Sequence, residues 1–299
     1  MQKNYALNLV TKFNNINEML EIAVKEAGDK IAFKYKDNGK IKEVSYKDFQ
    51  NETIALGTGL HWLGINDSHI AVIGENSYNW LTVYLTVLKS NSVIVPVDKE
   101  LPVKDIIHVL EHSDSQVLFY SKKFDKCIEE LVEKLPNIKY FIGFDSAEDN
   151  GKLLSYSKLL KKGKELYESG NTSYSSIKKT DTKKLKMLVY TSGTTGMAKG
   201  VMLSEHNLVS SVYYGLQVST VYTCCLSVLP YHHTYEAVSG ILVALHHHCT
   251  ICINDSLKAV LKNLQLYKPD YIYLVPAFAE IFYKKIWANA KETGKDKIL

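Results

Sequence analysis

Apolar positions recur along this chain at two spacings. Phe13, Ile16, Met19, Leu20, Ile22 and Ala23 fall at helical intervals and predict an amphipathic helix within residues 1–30. Ile31–Lys36 and Ile41–Ser45 alternate instead, and Asp37-Asn38-Gly39 between them has the chemistry of a hairpin turn. Ser45-Tyr46-Lys47-Asp48 reads as a capping box that opens a helix to about Trp62, and Leu63–Asp67 marks a boundary. From residue 69 the pattern becomes regular. Strands are predicted at His69–Gly74, Ser92–Val97, Gln116–Tyr120 and Lys139–Phe144, with helices at Ser77–Lys89, Val103–His112 and Phe124–Leu135. Such alternation implies an α/β fold, with mostly parallel sheets covered by helices. Residues 145–183 are polar and Lys/Ser-rich, and read as a mobile connector with one helix at Tyr156–Leu166. A strand at Leu185–Tyr190 follows, then a helix capped by Ser204 that runs to about Val218. Further strands are predicted at Cys224–Leu229, Thr250–Ile253 and Tyr271–Val275, and further helices at Tyr235–His247, Leu257–Leu266 and Phe278–Lys291. No internal repeat occurs.

One stretch breaks the pattern. Thr191-Ser192-Gly193-Thr194-Thr195-Gly196-Met197-Ala198-Lys199-Gly200 holds three glycines, four hydroxyls and one lysine, so it cannot be ordinary core. Glycines let a backbone turn at positive φ and approach a ligand closely, and the amides exposed in such a turn form an anion-binding concavity. A Gly/Ser/Thr cluster can also be a flexible linker, but apolar strand-like segments bracket this one, Leu185–Tyr190 before and Gly200–Leu203 after. A Walker-type loop is excluded by spacing, because Lys199 follows Ala198 and precedes Gly200, and no Gly-x-Gly-x-x-Gly is present. The reading that remains is a phosphate cradle.

Composition narrows the picture. With 299 residues there is room for one large or two ordinary domains. No apolar run approaches the roughly 20 residues of a membrane span. Met1–Leu20 also lacks the apolar region of a secretory signal, so a cytoplasmic protein is expected, with peripheral membrane contact left open. The net charge of +4 comes from scattered lysines and no arginine, which argues against a nucleic-acid partner. Without a guanidinium fork, phosphate binding must rest on backbone amides, hydroxyls and lysine. Cys249-Thr250-Ile251-Cys252 has CxxC spacing after His246–His248. It lacks a second pair and lies in an apolar run, so buried thiols are expected and no metal. The 20 tyrosines could form a stacking surface for single strands, but their spacing fits core packing.

The cradle resembles the phosphate-loop signature of the adenylate-forming, AMP-binding superfamily of acyl-CoA synthetases, luciferases and adenylation domains. The family form is Tyr-Thr-Ser-Gly-Thr-Thr-Gly-x-Pro-Lys-Gly-Val, and Ala198 in place of proline is the one departure at a fixed position. That departure implies a looser loop rather than lost binding. Ile70–Ser77 and Val93–Pro102 resemble the first strand–helix–strand unit of bacterial long-chain fatty-acid–CoA ligases. Leu229-Pro230-Tyr231-His232-His233-Thr234-Tyr235-Glu236 resembles the family's Leu-Pro-x-x-His-x-x-Glu, and Leu274-Val275-Pro276 a strand end that follows.

The resemblance implies two interleaved subdomains, residues 66–214 and residues 1–65 joined to 215–299, with 145–183 as connector. It implies ATP-dependent activation of a carboxylic acid, a medium- or long-chain fatty acid, to acyl-AMP and then acyl-CoA. ATP, Mg2+ and coenzyme A would be the co-substrates. Thr191, Ser192, Gly193, Thr194, Thr195, Gly196 and Lys199 would hold the β- and γ-phosphates. His233 would lie beside the acyl carboxylate as the catalytic residue, although alone it reads as a surface or capping group. Tyr235, with His233, is an acyl-site candidate, and Glu236 matches the signature without an assigned chemistry. The adenine-stacking segment, the ribose aspartate and the C-terminal domain of the family pattern do not occur, so the resemblance implies the N-terminal part of a longer enzyme, inactive alone. A ligase for an aryl acid and a non-catalytic nucleotide- or acyl-binding module are the alternatives.

Overall fold

The computed structural model describes residues 9–177, 181–191, 198–219 and 221–294. Ile31–Asp37 (β1) and Lys40–Ser45 (β2) form the expected antiparallel hairpin, with Asn38 and Gly39 at positive φ (48° and 78°). Ile16–Ala27 (α1) is capped by the Asn15 side chain, and Tyr46–Trp62 (α2) by Ser45, whose hydroxyl oxygen accepts from the Asp48 amide.

Seven strands make one sheet: His69–Ile73 (β3), Val93–Val97 (β4), Ser115–Tyr120 (β5), Tyr140–Gly143 (β6), Leu153–Ser155 (β7), Leu185–Thr191 (β8) and Lys199–Ser204 (β9). Their order is β7-β6-β5-β3-β4-β8-β9, parallel throughout except for the antiparallel pair β8–β9. Between these strands run Tyr78–Lys89 (α3), Val103–His112 (α4), Ile128–Lys134 (α5) and Tyr156–Glu168 (α6), and Glu205–Val218 (α7) follows β9. Cys224–Ser227 (β10) and Thr250–Ile253 (β11) join the hairpin in a second sheet of order β10-β11-β1-β2, in which β11 lies parallel to β1. Val243–His246 (α8), Val260–Tyr267 (α9) and Pro276–Glu292 (α10) complete the described chain.

Helix α3 explains why its sequence is apolar all round. Trp80 to Lys89 are all buried, and the helix reaches both sheets. Tyr78 stacks on Tyr35 of β1 with ring centres 4.9 Å apart, while Val83 and Leu85 share one core with Ile70 and Ile94 of the seven-stranded sheet. The opposite face of that sheet packs Ala71, Val95 and Leu118 against Ile106 and Leu110 of α4 and Leu131 of α5.

Three expectations are corrected. Residues 145–183 hold the expected helix, as α6, but are no mobile connector: β7 extends the sheet and α6 packs on α2. The polar composition hid this, because α6 buries only Tyr156, Leu159 and Gly163. Tyr271–Val275 makes a single bridge, Cys225 to Tyr271, rather than a strand. The helix beginning at Tyr235 opens as a π-helix, Tyr235–Leu242, before α8.

The α2–α6 crossing depends on glycine. A Cβ at Gly163 would lie 1.9 Å from the Ala55 carbonyl oxygen and 2.7 Å from the Gly59 nitrogen, backbone atoms that cannot step aside. Helix propensity alone would make Gly163→Ala a gain of about 1 kcal/mol. The clash reverses the sign, and a net loss of about 1–3 kcal/mol is expected. A urea midpoint at or above that of the unaltered protein would contradict this account of the crossing.

Candidate functional site

The candidate phosphate loop springs from the β8–β9 hairpin. Thr191 at the end of β8 pairs with Lys199 at the start of β9, and Tyr190 pairs with Gly200. Thr191 and Lys199 therefore close the mouth of the loop side by side, both exposed. Ser192, Gly193, Thr194, Thr195 and Gly196 lie outside the described residues. Below the mouth, the Tyr190 hydroxyl and His112 Nδ1 of α4 are hydrogen-bonded at 2.7 Å, which ties the hairpin stem to the helix beneath it. A side chain at Gly200 would stand 3.1 Å from Leu188 Cδ1 and 3.4 Å from the Tyr190 ring, so glycine keeps the stem narrow.

Beside the stem lies an open cleft of about 470 Å3, a size suited to a small-molecule group. Val189 and Thr191 of β8, Val201 of β9, Leu208 of α7 and Thr234 and Tyr235 line it, among others. Its wall is thus mixed, with aliphatic side chains and the hydroxyl-bearing residues Thr191, Ser211, Thr234 and Ser239. Tyr235 is 45% exposed and meets Tyr273 edge-on, with ring centres 5.6 Å apart.

The turn before the π-helix is pinned across the two sheets. Asn76, just after β3, donates from Nδ2 to the Leu229 carbonyl (2.7 Å), and its Oδ1 accepts from the Tyr231 amide (3.2 Å). His233 is exposed; its amide donates to the Pro230 carbonyl (3.1 Å) and its carbonyl accepts from Ala237 (2.9 Å). Its ring packs on His232 at 4.2 Å, and it stands one residue before the cleft-lining Thr234. His232 points elsewhere. Its Nε2 lies 3.6 Å from Asp98 Oδ1, and burial pushes its pKa down to about 4 despite that carboxylate, so it is neutral at pH 7.

Glu236 lies beneath the site, 1% exposed. Its Oε1 is hydrogen-bonded to the Ser227 hydroxyl, which in turn meets the Tyr231 hydroxyl at 3.2 Å, while Oε2 makes no hydrogen bond. Gly240 leaves room for it, since a Cβ there would approach the carboxyl carbon to 2.7 Å. Burial pushes this carboxyl up to about 8, with the Ser227 bond opposing. Sequence reasoning gave neither Asn76 nor Glu236 a role. For Glu236 the signal was a carboxylate inside an otherwise apolar helix; Asn76 had none beyond its place after a strand. Among the described residues, no group of three or more His, Cys, Asp or Glu is arranged to hold a metal ion.

The sequence model of the AMP-binding enzyme family matches residues 20–297. The chain belongs to that family. This AMP-binding chain is 30% identical over 256 residues to fatty acyl-CoA synthetase B of Dictyostelium discoideum, covering 81% of this chain and 37% of the relative. It is 25% identical over 295 residues to a chloroplastic long-chain-fatty-acid–[acyl-carrier-protein] ligase of Arabidopsis thaliana, covering 92% and 40%. Its fold matches the adenylation domain of a Mycobacterium chelonae carboxylate reductase with a TM-score of 0.81 at 19% identity, over 93% of this chain and 48% of that one. The chain thus spans less than half the length of these relatives. Its hairpin mouth sets an exposed lysine beside an exposed threonine, in a chain with no arginine.

Proposed function

We propose that this chain carries the phosphate-loop and acyl-site half of an enzyme that activates a medium- or long-chain fatty acid with ATP, to acyl-AMP and then acyl-CoA. The observation that carries this reading is the hairpin mouth of Thr191 and Lys199 opening beside a cleft lined by aliphatic and hydroxyl-bearing residues. The names of the relatives, a fatty acyl-CoA synthetase and a long-chain fatty-acid ligase, support the same acid class.

In this proposal a carboxylate oxygen attacks the α-phosphorus of ATP and pyrophosphate leaves. The coenzyme A thiol then attacks the acyl carbon and AMP leaves. The barrier is mostly crowding of charge, so positioning and electrostatic stabilisation carry the reaction. Thr191, Lys199 and the residues between them hold the β- and γ-phosphates, and Mg2+ accompanies the nucleotide. His233 stands near the carboxylate, and Tyr235 contacts the acyl chain. A cytoplasmic location belongs to the same proposal; among the described residues no helix is long and apolar enough to cross a membrane.

The native-length polypeptide, given ATP and Mg2+, is expected to release pyrophosphate when a long-chain fatty acid is added, and then to consume coenzyme A. Release with benzoate but not with fatty acids would move the substrate to an aryl acid. No release with any acid would leave a binding module.

Tyr235 gives a finer test. Truncating it to alanine lengthens the apolar cleft by about one or two methylene widths. At about 0.8 kcal/mol per buried methylene, the ratio of kcat/KM for a longer over a shorter acid is expected to rise about 4–15-fold. An unchanged ratio across a chain-length series would remove Tyr235 from the acyl site.

A further inference from the structure

The four cysteines of the second sheet are sorted by the sheet itself. Cys225 and Cys249 pack in the large core with Phe33 and Ile251. Cys252 lies on the other face with Leu226 and Val260, and Cys224 packs against that small cluster. There the two sulfurs face each other: Cys224 Sγ and Cys252 Sγ are 3.6 Å apart, on neighbouring parallel strands. The register offsets the two by two positions, Cys224 facing Thr250 and Cys252 facing Leu226, so closing the gap to the roughly 2 Å of a disulfide needs side-chain rotation together with a shift of the strands. Cys252 is wholly buried, whereas Cys224 at the strand start is partly open to solvent.

We propose that Cys224 and Cys252 form a redox pair that a hydroperoxide converts to an intrachain disulfide and a dithiol restores. The geometry assigns different parts to the two thiols. The contact between the two thiols holds the Cys224 thiol below its usual range; burial and the Asp270 carboxylate oppose this, and Lys34 on β1 adds to the lowering. Cys224, the thiol that solvent reaches, is therefore the attacking group, and Cys252, wholly buried beside it, the resolving thiol.

The Cys224 sulfur attacks the outer peroxide oxygen, the O–O bond breaks, and an alcohol or water leaves, giving a sulfenic acid. The Cys252 sulfur then attacks the Cys224 sulfur and displaces hydroxide, which departs as water with the Cys252 proton. The two thiols lose two electrons and the peroxide gains them. The bridge would join β10 to β11 and enclose the intervening segment, including His233, Tyr235 and the π-helix.

The test is titration of the reduced, dilute protein with one equivalent of hydrogen peroxide. Free thiols are expected to fall from five to three, with a mass loss of about 2 Da that dithiothreitol reverses. Trypsin cannot locate the bond, because no lysine or arginine occurs between Lys199 and Lys258; chymotryptic fragments joined through Cys224 and Cys252 would. The partly exposed Cys224→Ser is expected to keep all its remaining thiols under the same treatment, and Cys225→Ser to form the bridge as before. Five surviving thiols, irreversible oxygen addition without a bridge, or a bridge through Cys225 or Cys249 would each overturn the proposal.

Discussion

Replacing Glu236 with glutamine is expected to stabilise the protein, by an amount that grows with pH. The folded state holds the Glu236 carboxyl near a pKa of about 8, while an unfolded chain releases the proton near the ordinary value of 4.5. A group raised in this way favours the folded state only where both states keep the proton. As pH rises from about 4.5 towards 8, the unfolded state gains from ionisation and the fold loses stability; above 8 the loss levels off. A tenfold difference in proton affinity between the two states is worth about 1.4 kcal/mol. Allowing for local relaxation, Glu236→Gln should gain about 2–4 kcal/mol near pH 8 and almost nothing near pH 4.5. Glutamine keeps the carbonyl oxygen that meets Ser227, and Gly240 still leaves it space. Urea unfolding of both proteins at several pH values measures the difference. A difference that stays flat between pH 5 and 8 would mean that Glu236 is ionised in the folded state, with a partner beyond Ser227.

Removing the Lys199 ammonium is expected to weaken ATP binding by about 1.5–3 kcal/mol, or about 10–150-fold in Kd. Lys199 is exposed at the hairpin mouth, so truncation to alanine should cost little stability. None of these 299 residues is an arginine, so no guanidinium among them can take over its charge. Calorimetric titration of the native-length polypeptide with Mg-ATP is the direct measurement, alongside a melting curve that verifies the fold. Equal affinity in the alanine variant would take Lys199 out of the phosphate site and leave the backbone amides as its main donors.

Much of this arrangement was legible in the residues. Asp37-Asn38-Gly39 announced its hairpin, because few residues accept the positive φ that the turn requires. Ser45 and Ser204 announced helix starts, and both cap as expected. The helix read at Ser77–Lys89 is also present, as α3, although that it is enclosed on every side came only with the structure. Less was legible where tertiary contacts decide. Helix α6 is held by the close approach of Gly163 to α2, and glycine carries no hydrophobic signal. Tyr271–Val275 has strand composition, but only Tyr271 finds a bridging partner. At the site, the resemblance marked Thr191, Lys199, His233 and Tyr235. The tie made by Asn76 joins residues 153 and 155 positions apart, which no local pattern encodes.

The pairing of β1 with β11 has a consequence for biosynthesis. Phe33 finds its strand partner in Ile251, so β1 must wait for a strand made some 218 residues later. At about 5–20 residues per second, roughly 10–40 s separate the two. Throughout that interval one edge of the β1–β2 hairpin carries unpaired amides and carbonyls, the kind of surface on which nascent chains aggregate. The charged residues at Lys34, Lys36 and Glu43 lie along this hairpin and temper that risk. Fast translation or chaperone cover over this window would therefore raise the yield of folded protein.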